Sequence, residues 1–198
     1  MTTLTECTAI LFDFGGTLDS DGGHWLDRFY TLYDEAGLRL PPEEVKRAFY
    51  RADAACEQDP EVSRMGLRPL MRLHVRLQLE ALGVRDPDRE RQLVEGFCRP
   101  TETVLRRNAR LLPRLGRTRR LGVVSNFYGN VEVLCREAGL AESFAVVVDS
   151  ARVGVRKPDP AIFHMALDRL GAPAARALFV GDSLERDLRP AQGIGMRT

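Results

Sequence analysis

The sequence predicts an α/β fold, a Rossmann-like parallel sheet core with an α-helical segment inserted after the first strand. Two observations carry this. Short apolar or Val-rich runs alternate with amphipathic stretches of helical period, as in a parallel sheet covered on both faces. More than a hundred residues separate the first such run from the second, far beyond a single crossover, and most of them keep helical spacing.

Taken in order, Thr8 to Phe14 is a buried strand ended by Gly15-Gly16, and Leu121 to Ser125, Phe144 to Val148 and Ala177 to Val180 are the next three. Helical patterns over Thr103 to Leu115, Asn130 to Ala138 and Pro160 to Leu170 have the length of crossovers. The insertion should hold about four helices between 24 and 100. Trp25, Phe29, Leu32, Tyr33 and Ala36 form one stripe, and Val45, Ala48, Phe49 and Ala52 a second; Leu67 to Leu82 and Arg89 to Phe97 supply the others. The expected division is a core of 1–19 plus 101–198 and a helical unit of 20–100. The closing Gly-Ile-Gly-Met-Arg-Thr reads as the approach to a further strand.

Composition narrows the function classes. The 29 basic and 28 acidic residues nearly cancel and are dispersed, so nucleic acid is not an expected partner. No run approaches the roughly 18 apolar residues of a membrane helix, and Met1 to Thr8 lacks the blocks of a signal peptide, so a cytoplasmic location is expected. Cys7, Cys56, Cys98 and Cys135 are isolated and read as reduced core thiols rather than metal ligands. Only Lys46 and Lys157 are lysine, which makes a retained Lys informative in a chain that otherwise writes Arg.

Four clusters of reactive residues fall at or just after strand carboxyl ends, the edge where open α/β sheets bind ligands. Asp13 leads into Phe14-Gly15-Gly16-Thr17-Leu18, Ser125-Asn126 closes the second strand, Lys157 opens Lys-Pro-Asp-Pro after the third, and Gly181-Asp182-Ser183 closes the fourth, with Asp187 beyond. A carboxylate at the first position can attack an electrophile covalently. The glycines permit a sharp turn and leave amides free to approach an anion. Read singly, Asp13 could instead cap a loop, and Asp182 and Asp187 the last helix.

The four clusters in this order, with the helical insertion between the first and second, resemble the haloacid-dehalogenase-like hydrolase superfamily over about residues 8 to 197. The resemblance implies that Asp13 is the nucleophile, that Ser125 binds the transferring group with Asn126, Gly16 and Thr17 beside it, and that Lys157 balances charge. It further implies Mg2+ held by Asp13, the carbonyl of Gly15, Asp182 and Asp187, a small phosphorylated metabolite as substrate, and a helical cap that closes over the site. A hard cation with oxygen ligands suits a pocket holding a phosphate and three carboxylates.

One position departs from the family's phosphatases. They usually carry a second Asp two residues after the nucleophile to move the leaving group's proton, and here that position is Gly15. Glycine cannot transfer a proton, a loss worth about 10²–10⁴ in rate. Three readings follow: a substrate with a good leaving group, or a surrogate such as Asp19, Asp21 or His24; a C–halogen or C–P bond hydrolase, the latter requiring Lys46 as a Schiff base; or a non-catalytic binding domain.

Overall fold

The computed structural model describes residues 6–198. Most of the segment read for a signal peptide therefore lies outside the described residues. Strands β1 (Ala9–Phe12), β2 (Arg120–Ser125), β3 (Val146–Asp149) and β4 (Ala177–Val180) form one parallel sheet in the order β3-β2-β1-β4. β1 pairs with β2 on one side and β4 on the other, so the chain reverses its direction of winding there and Asp13 emerges at the switch point. The four strand ends bring Asp13, Ser125, Asp149 and Gly181 to one edge.

Between β1 and β2 run α1 (Trp25–Glu35), α2 (Pro42–Gln58), α3 (Leu67–Ala81) and α4 (Pro87–Gly116). Their starts follow local chemistry. His24 accepts the Leu26 amide at the head of α1, Pro42 opens α2, and Asp86 accepts the amides of Asp88 and Arg89 before α4. The four apolar stripes read from the sequence face one another, with Phe29, Tyr33, Phe49, Leu70, Met71 and Phe97 almost fully buried. They do not form a separate core. The same apolar cluster continues into Ile10, Phe12, Leu121 and Val123 on one face of the sheet, whereas the other face packs on a second cluster around Phe163 and Phe179.

The structure differs from the sequence reading at the α4 boundary, at the start of the third strand and in an added short helix, and it pairs the tail with the sheet as its pattern suggested. The patterns at Arg89 to Phe97 and Thr103 to Leu115 are one helix of 30 residues, continuous through residue 100, where a boundary was expected. Pro100 lies inside it; a proline removes one backbone donor, which alone need not end a helix that is packed along its length. The third strand starts at Val146 rather than Phe144, because Ala141–Ser143 forms a 3-10 turn first. A short helix α6 (Ser150–Val153) precedes Lys157 and was not anticipated. At the end, Arg197 pairs in parallel with β4 through Phe179 N–H to Arg197 O at 2.7 Å and Arg197 N–H to Ala177 O at 3.0 Å.

The remaining helices are α5 (Val131–Glu137), α7 (Pro160–Leu170) and α8 (Arg189–Gly193). Cys7, Cys56, Cys98 and Cys135 are buried and unpaired. Among the described residues no helix is long and apolar enough to cross a membrane.

Gly122 in β2 shows how tightly the sheet is packed. A Cβ there would lie 2.6 Å from Val146 Cγ1 and 2.7 Å from Leu11 Cδ2, side chains fixed on the two flanking strands. Gly122→Ala is expected to destabilise the fold by about 1–3 kcal/mol through overpacking. Urea unfolding checks this, and an unchanged midpoint would show that the sheet yields without cost.

Candidate active site

Asp13 is buried immediately after β1, and its backbone amide continues the ladder to Val180 O at 2.9 Å. Its Oδ1 accepts the Ser125 hydroxyl at 2.7 Å and lies 2.7 Å from Lys157 Nζ. Oδ2 is thereby left as the oxygen of Asp13 without either partner. Lys157 is buried as well, and its ammonium also meets Asp187 Oδ1 at 2.5 Å. An ammonium removed from water is tolerable only with charge and hydrogen bonds to match. Two carboxylates supply both.

Lys157 is aimed through its backbone. Asn126 Nδ2 donates to Lys157 O at 2.9 Å, and Lys157 N–H donates to Asn126 Oδ1 at 2.8 Å. Asn126, expected beside the substrate, lines the pocket but gives both ends of its amide to this clamp.

The carboxylates converge because two glycines lack a side chain. A Cβ on Gly181 would lie 2.7 Å from Asp187 Cγ, and one on Gly16 would lie 2.7 Å from Asp182 Cγ. Gly16 also has φ of +85°, a backbone conformation that side chains resist. As a result, Asp13, Asp182 and Asp187 each offer an oxygen within 4.8 Å of the others. Burial raises the Asp182 carboxyl to about 6, with the charges of Asp13 and Asp187 adding to the rise. Burial and Asp13 push Asp187 in the same direction, against Lys157. Asp187 Oδ2 also accepts the Ser183 amide at 3.1 Å, so Asp182 is the carboxylate of the three with the least protein bonding. Crowded oxygens with repelling charges are a donor set that fits a hard divalent cation.

The pocket in front of Asp13 is lined on the sheet side by Gly15, Ser125, Lys157 and Asp187, and on the helical side by His24, Trp25, Phe49, Tyr50 and Asp53. Burial, with Arg186 nearby, lowers the His24 pKa, and its Nδ1 accepts the Leu26 amide at 3.2 Å. The neutral ring therefore carries its proton on Nε2.

Two expected anion contacts are arranged otherwise. Gly16 N–H is donated to Asp19 Oδ1 at 2.7 Å, so it is not free for a ligand. Gly16 and Thr17 border the neighbouring surface around Leu18 and Asp182, and Thr17 Oγ1 is buried with no protein partner. Asp21 is turned outward in a pair with Arg107. Lys46 is exposed on α2 and does not line the pocket.

Sequence reading passed over three residues that shape the site. Asp149 accepts the amides of Gly129, Val131 and Ala151 and so fixes the loop after β2; its position at a strand end beside Ser150 was the available signal. Tyr128 and Asp53 bond each other across the pocket wall, a pairing between distant segments that spacing cannot reveal.

A model of the haloacid dehalogenase-like hydrolase family matches residues 7–195, and the chain belongs to that family. It is 34% identical over 180 residues to haloacid dehalogenase-like hydrolase domain-containing protein 3 of Danio rerio, covering 82% of this chain and 72% of that one. A phosphoserine phosphatase of Thermus thermophilus is 39% identical over 120 residues, 56% of this chain and 46% of the relative. Among solved structures, the putative HAD-hydrolase YfnB of Bacillus subtilis, described as bound to magnesium, superposes with a TM-score of 0.55 at 20% identity, over 96% of this chain and 84% of its own. That likeness shows the shared fold.

Asp19 ties the loop after Asp13 to α1. It is fully buried, accepts Gly16 N–H and Trp25 Nε1–H at 2.7 and 2.5 Å, and lies 3.9 Å from the Arg28 guanidinium. Burial nevertheless raises its carboxyl from 3.8 to about 6. The folded chain then holds a proton that the unfolded chain releases, so this group's contribution to stability is full below about pH 4 and is lost as pH rises through about 6. Asp19→Asn cannot titrate, and its curve of stability against pH should be flatter than wild type across that window. Urea unfolding at pH 4 to 7 measures the difference; parallel curves would remove the assigned shift.

Proposed function

We propose that the chain is a Mg2+-dependent phosphohydrolase of a small phosphorylated metabolite, with Asp13 as nucleophile. The observation that carries this is the arrangement at Asp13: Oδ1 fixed by Ser125 and Lys157, Oδ2 without either, and two further carboxylates at hand. A phosphoserine phosphatase among the relatives supports the same reading.

Asp13 Oδ2 attacks phosphorus in line, the P–O bond to the ester oxygen breaks with its electron pair, the leaving group departs as an alkoxide or phenolate that takes its proton from water, and an aspartyl-phosphate forms. Lys157 and the Ser125 hydroxyl stabilise charge on the transferring group. Water then attacks phosphorus, which frees Asp13 and inorganic phosphate. Asp13, Asp182 and the Gly15 carbonyl would hold Mg2+, with Asp187 bonded behind them; when bound, the ion supplies positive charge against the phosphoryl oxygens. Helices α1 and α2 act as a cap that roofs the pocket and selects the leaving group.

The test is hydrolysis of 4-nitrophenyl phosphate, whose leaving group needs no acid. Wild type should release nitrophenol with Mg2+ and not with chelator, and Asp13→Asn should fall by at least about 10³-fold. No release by folded, Mg2+-loaded wild type would reject the reading.

Gly15 favours a second reading, hydrolysis of a C–halogen bond, which has no alkoxide to protonate. The retained carboxylate group counts against it. A Schiff-base route to C–P cleavage lacks a lysine at the pocket other than Lys157, which its two carboxylates engage. The missing acid is directly testable. Gly15 has φ of −71°, and a Cβ there would meet Phe127 and Trp25 only at 3.7 Å, so a side chain fits. Gly15→Asp should raise turnover of simple alkyl phosphates by about 10²-fold. No gain would mean that His24 or another group already protonates the leaving oxygen.

A further inference from the structure

The far wall of the pocket contains a carboxylate whose orientation is fixed from behind. Asp53, on α2, accepts the Tyr128 hydroxyl through Oδ1. Behind it, His74 is completely buried on α3. Tyr33 O–H donates to Gln78 Oε1 at 3.2 Å, and Gln78 Nε2 and His74 Nδ1 are 2.8 Å apart. With its oxygen accepting from Tyr33, Gln78 presents its NH2 to His74, which puts the imidazole proton on Nε2. That atom has no hydrogen-bond partner and lies 4.0 Å from Asp53 Oδ1. The Tyr128 hydroxyl thus fixes Oδ1 of Asp53, with the unpaired ring N–H of His74 4.0 Å behind it. Oδ2 has no partner among the described residues, and the same pocket is lined by the aromatic rings of Phe49, Tyr50, Trp25 and Phe127 as well as by polar groups that include His24 and Arg186.

Among the charges that line the pocket, Arg186 has only the Ser183 hydroxyl as a side-chain partner, at 3.5 Å, while the others are paired. Glu57 pairs with Arg156 at 3.0 Å, and Lys157 is engaged by Asp13 and Asp187. Asp53 is therefore a wall carboxylate with one oxygen held by Tyr128 and acceptor capacity left on the other to give to a ligand.

We infer that Asp53 is a specificity residue, and that the substrate is a phosphomonoester whose leaving group carries a hydrogen-bond donor, an amine or hydroxyl, that Asp53 Oδ2 receives. The inference rests on the phosphohydrolase reading for the phosphoryl end of the pocket alone. A purely apolar leaving group leaves the acceptor unpaired.

The experiment is calorimetric binding to the Mg2+-loaded protein of three ligands of nearly equal size: 2-aminoethyl phosphate, 2-hydroxyethyl phosphate and n-propyl phosphate. Wild type should bind both donor-bearing ligands at least about tenfold more tightly than n-propyl phosphate, a difference of about 1.4 kcal/mol. In Asp53→Asn the Tyr128 hydroxyl keeps the amide oxygen, which turns NH2 toward the ligand, and the preference should collapse to near unity for both. Tyr128→Phe, which keeps the carboxylate but frees it, should give an intermediate preference and supplies the reading if Asp53→Asn fails to fold. Equal affinities in wild type, or a preference untouched by either substitution, would overturn the inference. Because binding needs no turnover, failure of nitrophenyl phosphate hydrolysis with the donor preference intact would sink the phosphohydrolase reading and leave standing only the assignment of Asp53 as the residue that receives a ligand's donor.

Discussion

The buried ammonium of Lys157 is the constraint around which the rest of the site is arranged. Asp13 and Asp187 both contact it, and it sits below the surface where neither sign of charge survives alone. Removing it would leave three carboxylates facing one another in a low-dielectric pocket. This explains why the chain fixes Lys157 by its backbone, through both ends of the Asn126 amide, rather than leaving a long side chain to find its own place.

Much of this was legible in the sequence, for a physical reason. Parallel strands have to be apolar on both faces, so polar residues can appear only where a strand stops, and the ends of β1, β2 and β4 announced Asp13, Ser125 and Asp182 directly. Sheet topology then gathered them without further information. The helical stripes were equally visible, because burial against a neighbour needs the same spacing wherever the neighbour is.

What could not be read depended on contacts between segments far apart in the chain. Whether Gly16 N–H faced a ligand or Asp19 was decided by Trp25 and Arg28, which hold the Asp19 carboxylate in place. The continuity of α4 was obscured by Pro100, since helical spacing on either side of a proline looks like two helices unless packing is known. Asp53 and Tyr128 carried no local signal, as their positions are ordinary for an amphipathic helix and a loop.

The density of charge at the site is created by two atoms that are not there. At Gly16 and Gly181 a single methyl group would occupy the space taken by a carboxylate. An alanine at either place would leave the hydropathy profile, the strand order and the apolar clusters as they are, while driving the acidic side chains apart. Architecture and chemistry are thus separable here by one carbon. A chain altered at either glycine would keep the fold and lose the site, so likeness of fold alone would not distinguish the two.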